Sequence, residues 1–363
     1  MKIIDSSYRA GFQEDVLDGV RGLAVLIVLM SHAANKGILW GPVNELFGGG
    51  SGQYGVYLFF TLSSFLLVRS LLRKNNQDLK NRKIWLEYFF RRLLRIYPLY
   101  VVVLLFVCFS TLMDWKLFYC FGLGDFGEHL MLGGGIGHFW TIVAEVRFYF
   151  IIPVFVCLFV FLFKRKTVLF ILFSVLFLQI VLVLNLFVFD DSPRYSLIRN
   201  IMVFYYGALV GVCYEGNVLG RVFEVLGPFM DLIALLLIIS CFLLMPGVLN
   251  VISGYFGLPH IPILSEPMLN FWGLWGGSVI WTSMMCQGFM RRFLNLWFIR
   301  LLGFISFSCY LWHWFILEFV AKLNTVNSVK LFIFITMTLA VSTLSYVVIE
   351  KPLAKIRIYS RPQ

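Results

Sequence analysis

An all-α, polytopic integral membrane bundle of about ten transmembrane helices, with both termini in the cytoplasm, is the fold class this sequence predicts. Three observations carry it. Of the 363 residues, 60% are hydrophobic and only 13% are charged, about half the charged share of a soluble domain. The apolar residues fall into ten runs near the ~20 residues a helix needs to cross hydrocarbon. The basic residues gather at alternate ends of those runs.

The first run, 19–38, lacks a small-residue cleavage pattern and carries Arg21 and His32. It reads as a retained first helix rather than a signal peptide. Runs two and three, 54–72 and 97–113, enclose the basic stretch from Arg69 to Arg95. The fourth, 139–163, follows the glycines Gly133, Gly134 and Gly135 and ends at Lys164, Arg165 and Lys166. The others are 167–189, 199–214, 229–245, 269–287, 301–321 and 329–350. The linkers leave no room for a soluble domain and no internal repeat is visible. One transmembrane domain over 1–363 is therefore expected.

With the N-terminus placed in the cytoplasm, seven basic residues fall outside: Lys36, Lys116, Arg147, Arg194, Arg199, Lys322 and Lys330. The rest of the 30 Lys and Arg fall inside, including Lys2, Arg9, Arg221, Arg291, Arg292, Arg300 and the tail from Lys351 to Arg361. That bias sets the orientation. The net charge of +11 belongs to this pattern and not to nucleic-acid binding. The seven cysteines, among them Cys120, include no C-x-x-C pair. Neither a disulfide nor a metal site is expected.

Ionisable residues inside hydrocarbon are costly and mark functional positions. Asp18, Arg21 and His32 share the first run, and His32 lies 11 residues beyond Arg21, about 16 Å along a helix. The fourth run carries Trp140, Glu145, Arg147 and Tyr149. Glu145 falls at a depth similar to His32, where a carboxylate could orient the imidazole. It could equally pair with Arg147 or a backbone donor. Arg91, Arg92 and Arg95 stand just before the third run. Arg92 and Arg95 share a helix face and suit phosphate, although a plain basic anchor fits as well. Ser306, Ser308, Tyr310 and His313 lie in the ninth run. Hydroxyls there often serve helix packing, and His313 fits a buried structural role. His129 and His138 flank the glycine loop without a metal-ligand pattern, and His260 sits in a Pro/Gly-rich loop.

Taken together, six stretches resemble the acyltransferase type 3 family. They are LDGVRGLAVLIVLMSHA, GVYLFFTLSSFLL, FFRRLLRIYPLY, HFWTIVAEVRFYFIIP, ISFSCYLWHW and SYVVIEKPLAKI, in order from residue 15 to 355. Tyr57, Ser64 and Arg147 depart from the family pattern, whereas Arg21, His32, Arg92, Arg95 and Glu145 match it.

The resemblance implies an acyl-CoA-dependent O-acyltransferase, usually an acetyltransferase acting on carbohydrate, in the bacterial inner membrane. It implies the standalone form, without the esterase-like domain some relatives carry. Acetyl-CoA would be a co-substrate, and no cofactor would be tightly bound. Arg92 and Arg95, with Arg21, would hold its phosphates. His32 would be the general base or a transient acyl carrier, oriented by Glu145. Asp18, Trp140, Arg147, Ser306 and Tyr310 are candidates to support the reaction. The acceptor would be a cell-surface glycan hydroxyl, such as O-antigen, lipopolysaccharide or exopolysaccharide, including lipid-linked forms. Peptidoglycan, a small polyol or an antibiotic are alternative acceptors. The rival class is a transporter or glycan flippase, which inverted symmetry between the halves would favour; none is visible.

Overall fold

The apolar runs fold as helices, which satisfy every backbone polar group within the segment in lipid. The computed structural model describes residues 15–113, 115, 122–188, 196–218, 225–257, 268–356 and 358. Lys2, Arg9, Lys116, Cys120, Arg194, Arg221, His260, Arg357 and Arg361 lie outside the described residues. The chain is 84% helical, with no strand among the described residues. It is an all-α integral membrane protein.

In chain order, α1 (Asp15–Asn35) is followed by the short α2 (Gly41–Phe47). Then come α3 (Gly52–Leu72), α4 (Asn76–Lys80), α5 (Arg82–Leu112) and α6 (Leu123–Leu130). Helix α7 (Trp140–Cys157) ends in a π turn, Leu158–Leu162, and α8 (Thr167–Phe187) and α9 (Leu197–Glu215) follow. The second half comprises α10 (Met230–Leu243), α11 (Pro246–Phe256), α12 (Met268–Met285), α13 (Phe289–Leu294), α14 (Trp297–Phe304), α15 (Ser306–Ala321) and α16 (Asn327–Ser345). A π turn, Tyr346–Glu350, extends α16.

Among the described residues, seven helices are long and apolar enough to cross a membrane, and two bent pairs raise that to as many as nine. The expected run 269–287 is α12, which is less apolar than those nine, and its residues are mostly buried among α1, α3, α9 and α10. Expectation and structure differ at three places. The third helix starts at Arg82, so Arg91, Arg92 and Arg95 lie within α5 rather than ahead of it. The ninth run is two helices, α14 and α15, meeting at 78° around Ile305. The chain after the seventh run turns by 68° into α11.

Close backbone approach fixes the centre. A Cβ on Gly55 of α3 would stand 2.3 Å from the Ala24 carbonyl oxygen of α1. A Cβ on Gly303 of α14 would stand 1.9 Å from the Asp18 carbonyl oxygen. Glycine at both places lets α3 and α14 touch α1 directly, as small residues do in membrane bundles.

One end of the bundle collects the basic loops. Arg165 donates to the carbonyls of Leu72 and Lys74, both at 3.0 Å. Buried Arg69 and exposed Arg73 both reach Glu215 Oε1, at 2.9 and 3.3 Å. Removing that carboxylate takes the anionic partner from a buried guanidinium. Glu215→Gln is therefore expected to destabilise the protein by about 1–3 kcal/mol, read as a lower midpoint of thermal unfolding in detergent. An unchanged midpoint would exclude this pair as an anchor.

Candidate active site

Helical geometry sets up the site. Arg21 and His32 lie 11 residues apart on α1, about three turns, so they share one face. Ser306, Tyr310 and His313 lie four and three residues apart on α15, and also share a face. The two helices pack together in parallel, from Ser306 and Arg21 on one cavity wall at one end to Glu318 Oε1, 2.6 Å from the Nζ of Lys36 just past α1, at the other.

Between them, at the basic end, opens a cavity of about 350 Å³, within the size range of small-molecule sites. Its cations are Arg21 from α1, Arg91, Arg92 and Arg95 from α5, and Lys351 and Lys355 beyond α16. Asp18 and Glu350 are its acids. Each acid is held: Asp18 Oδ1 lies 3.4 Å from Arg21 Nη1, and Glu350 accepts from the Ser308 hydroxyl. The break between α14 and α15 supplies Gly303, Phe304, Ser306 and Phe307 to the wall. Arg92 Nε is buried with no hydrogen-bond partner among the described residues. An uncompensated buried donor of this kind suits an anionic ligand.

A second cavity of about 70 Å³ adjoins the first and shares Arg21, Arg95, Ser306 and Phe307 with it. Val56, Phe59, Phe60 and Ser63 of α3, Thr141, Ile142 and Glu145 of α7, and Tyr310 of α15 complete it. Polarity falls along this path, from the cation-lined mouth to a narrow, aromatic end.

Beyond Tyr310 stands a cluster of three histidines. His32 Nδ1 lies 2.8 Å from His313 Nε2. His313 Nδ1 lies 2.7 Å from the Tyr310 carbonyl oxygen and 3.1 Å from that of Cys309. The Trp314 ring meets His32 edge-on at 4.8 Å. His138 stacks with Trp314 and reaches the Leu311 carbonyl at 3.2 Å. Tyr310 donates to the His138 carbonyl at 2.9 Å, pinning α15 to the start of α7. Neither cavity is lined by His32.

The predicted residues thus separate into groups. Asp18, Arg21, Arg92, Arg95 and Ser306 come together at the wide cavity, and Glu145 and Tyr310 at the narrow one. The expected pairing of Glu145 with His32 is not made. Glu145 Oε1 instead accepts from Ser63 at 2.6 Å and Tyr149 at 2.7 Å, on the basic side of the histidines. His32 is held by His313, a residue that fitted a structural role from sequence. Arg147 turns away to the Leu132 carbonyl at 2.9 Å and Trp140 packs on Phe60, so neither lines these two cavities. Glu350 and Ser63 are site residues that sequence reasoning passed over. The signal for Glu350 was a carboxylate at the end of an apolar run.

A family model described as an acyltransferase domain matches residues 14–348, spanning Arg21, His32, Arg92, Arg95, Glu145 and His313. The chain belongs to the acyltransferase type 3 family. Within the family it is similar to the peptidoglycan O-acetyltransferase OatA of Listeria monocytogenes serovar 1/2a, 24% identical over 365 residues. That alignment covers 93% of this chain and 55% of the relative. The chain spans about half the length of the curated relative it matches. No solved structure matches this acyltransferase.

Proposed function

We propose that this protein is a membrane O-acetyltransferase of the bacterial inner membrane. It takes acetyl from cytoplasmic acetyl-CoA and places it on a hydroxyl of a cell-surface glycan. The observation that carries the reading is the graded pair of cavities. A wide, cationic chamber narrows past Arg21, Arg95 and Glu145 towards Tyr310, one helical turn before the His32–His313 pair.

In this reading Arg92, Arg95 and Arg21, with Arg91, Lys351 and Lys355, hold the phosphates of the nucleotide end. The arm that carries the thioester extends through the narrow cavity towards His32, and the two ends of that path differ by the ~16 Å between Arg21 and His32. His32 removes the proton of the acceptor hydroxyl. The oxygen attacks the thioester carbonyl, the C–O bond forms, and the tetrahedral intermediate collapses with loss of the C–S bond. The departing thiolate recovers the proton from His32, giving free CoA thiol. Glu145, Ser63 and Tyr149 form one hydrogen-bonded set beside the arm's path and shape it.

Arginines that grip phosphate give a clear test. Arg92→Ala and Arg95→Ala are each expected to raise KM for acetyl-CoA about 10–100-fold, the loss of one charge-assisted hydrogen bond. Turnover of acetyl-pantetheine, which lacks the nucleotide, should be unchanged. Equal losses with both donors would contradict the donor site placed here.

Peptidoglycan is the second acceptor reading, favoured by the similarity to the Listeria peptidoglycan O-acetyltransferase. Acetylation of purified peptidoglycan fragments against O-antigen fragments by the same preparation separates the two.

A further inference from the structure

The histidine pair carries more than proximity, because its hydrogen bonds run in one direction. A backbone carbonyl only accepts. His313 Nδ1, at 2.7 Å from the Tyr310 oxygen and 3.1 Å from the Cys309 oxygen, must therefore hold a proton. In a neutral imidazole the other nitrogen is then a bare acceptor. That nitrogen, His313 Nε2, lies 2.8 Å from His32 Nδ1. His32 Nδ1 must donate, so a neutral His32 carries its free lone pair on Nε2. His313 itself is fully buried, and its ring lies within 20° of the plane of His32, with centroids 4.9 Å apart, the edge-to-edge arrangement an in-plane hydrogen bond requires.

We propose that His313 is the positioning residue of the reaction. By accepting from His32 Nδ1, it fixes the tautomer in which His32 Nε2 is the atom that takes the acceptor's proton. The inference rests on His32 being the general base and goes beyond it, since it assigns the reacting nitrogen and the group that selects it. The protons balance without His313 changing state. The acceptor hydroxyl gives its proton to His32 Nε2 as the C–O bond forms. His32 then holds protons on both nitrogens, still donating from Nδ1 to His313. Nε2 returns its proton to the CoA sulfur as the C–S bond breaks.

The placement suits an apolar interior. A carboxylate behind the base would bring a second ion into hydrocarbon, whereas a neutral imidazole acceptor does so without one. The carbonyls of the preceding helical turn, Cys309 and Tyr310, serve as the fixed end of the chain. Residue 313 can read them because it lies three and four positions further along α15.

The test separates an acceptor from mere bulk. A glutamine amide places its oxygen at the same number of bonds from Cβ as His Nε2, whereas an asparagine amide reaches only as far as Nδ1. His313→Gln should keep kcat within about 10-fold of the parent. His313→Asn and His313→Leu should lose roughly 10²–10³-fold in kcat, with KM for acetyl-CoA unchanged, a tautomer-fixing loss. Equal loss in the Gln and Asn variants, or normal kcat in Asn and Leu, would overturn the proposal. A second readout needs no turnover. In 15N-histidine-labelled protein in lipid nanodiscs, His32, assigned by its loss in His32→Ala, should show protonated Nδ1 and bare Nε2. In the His313→Leu protein that preference should be lost. A protonated, donor Nε2 on His32 in the parent would overturn the assignment. Turnover by His32→Ala would instead remove the general-base reading while leaving the tautomer result intact.

Discussion

His32→Ala is expected to reduce acetyl transfer by about 10³-fold or more, at the upper range of general-base contributions. It should not change expression, insertion or the elution position of the purified protein. The side chain is part-buried at one end of α1, and its side-chain hydrogen bond among the described residues is the one to His313. Truncation therefore removes chemistry and little packing. Binding of acetyl-CoA, measured by calorimetry, should persist, because Arg21, Arg92 and Arg95 sit in a chamber that His32 does not line. Residual turnover near the parent rate would show that another group takes the proton. Loss of both turnover and binding would show that α1 had been disturbed.

Gly303→Leu is expected to damage the fold severely. A Cβ at 303 would fall 1.9 Å from the Asp18 carbonyl oxygen and 2.7 Å from its carbon. Both are backbone atoms, which cannot swing aside as a side chain would. Helices α1 and α14 would have to part, at an overpacking cost of about 3 kcal/mol or more. The same movement would pull Asp18 and Arg21 from the wall of the wide cavity. The unfolding midpoint in detergent should drop by many degrees and acetyl-CoA binding should fail. A parent-like midpoint would mean that the contact between α1 and α14 is not needed.

These two residues show which parts of the molecule a sequence discloses. His32 stood out because a histidine in hydrocarbon needs a reason, and its spacing from Arg21 is local. Once α1 is a helix, three turns bring both to one face. The spans were legible for the same reason: apolar length is a property of consecutive residues. The 78° turn at Ile305 was not. The run continues apolar through it, without proline, and beside the turn Gly303 seats on Asp18, 285 positions away. Partners across the bundle were equally hidden. Glu145 has Ser63, 82 positions earlier, as its bond, and His32 has His313, 281 positions later. A carboxylate and an imidazole at similar depth made a plausible pair from sequence. Depth leaves the direction around each helix open, and there α7 turns Glu145 towards α3 while α15 brings His313 to α1. Arg92 was recognisable as basic and Arg95 as its helical neighbour. Only the fold shows that Arg92 has an unpartnered Nε and that α5 carries both into a chamber shared with α1.

The central claim is that this acyltransferase acetylates a cell-surface glycan through His32. The most direct measurement is mass spectrometry of surface glycans from cells making the parent protein, the His32→Ala variant or neither, in a host that makes the native glycan. Both proteins would be quantified in the membrane fraction. The account predicts an added acetyl mass with the parent alone, on a fragment that names the acceptor. An unchanged glycan in cells making the parent, or the same acetyl mass with His32→Ala, would contradict it.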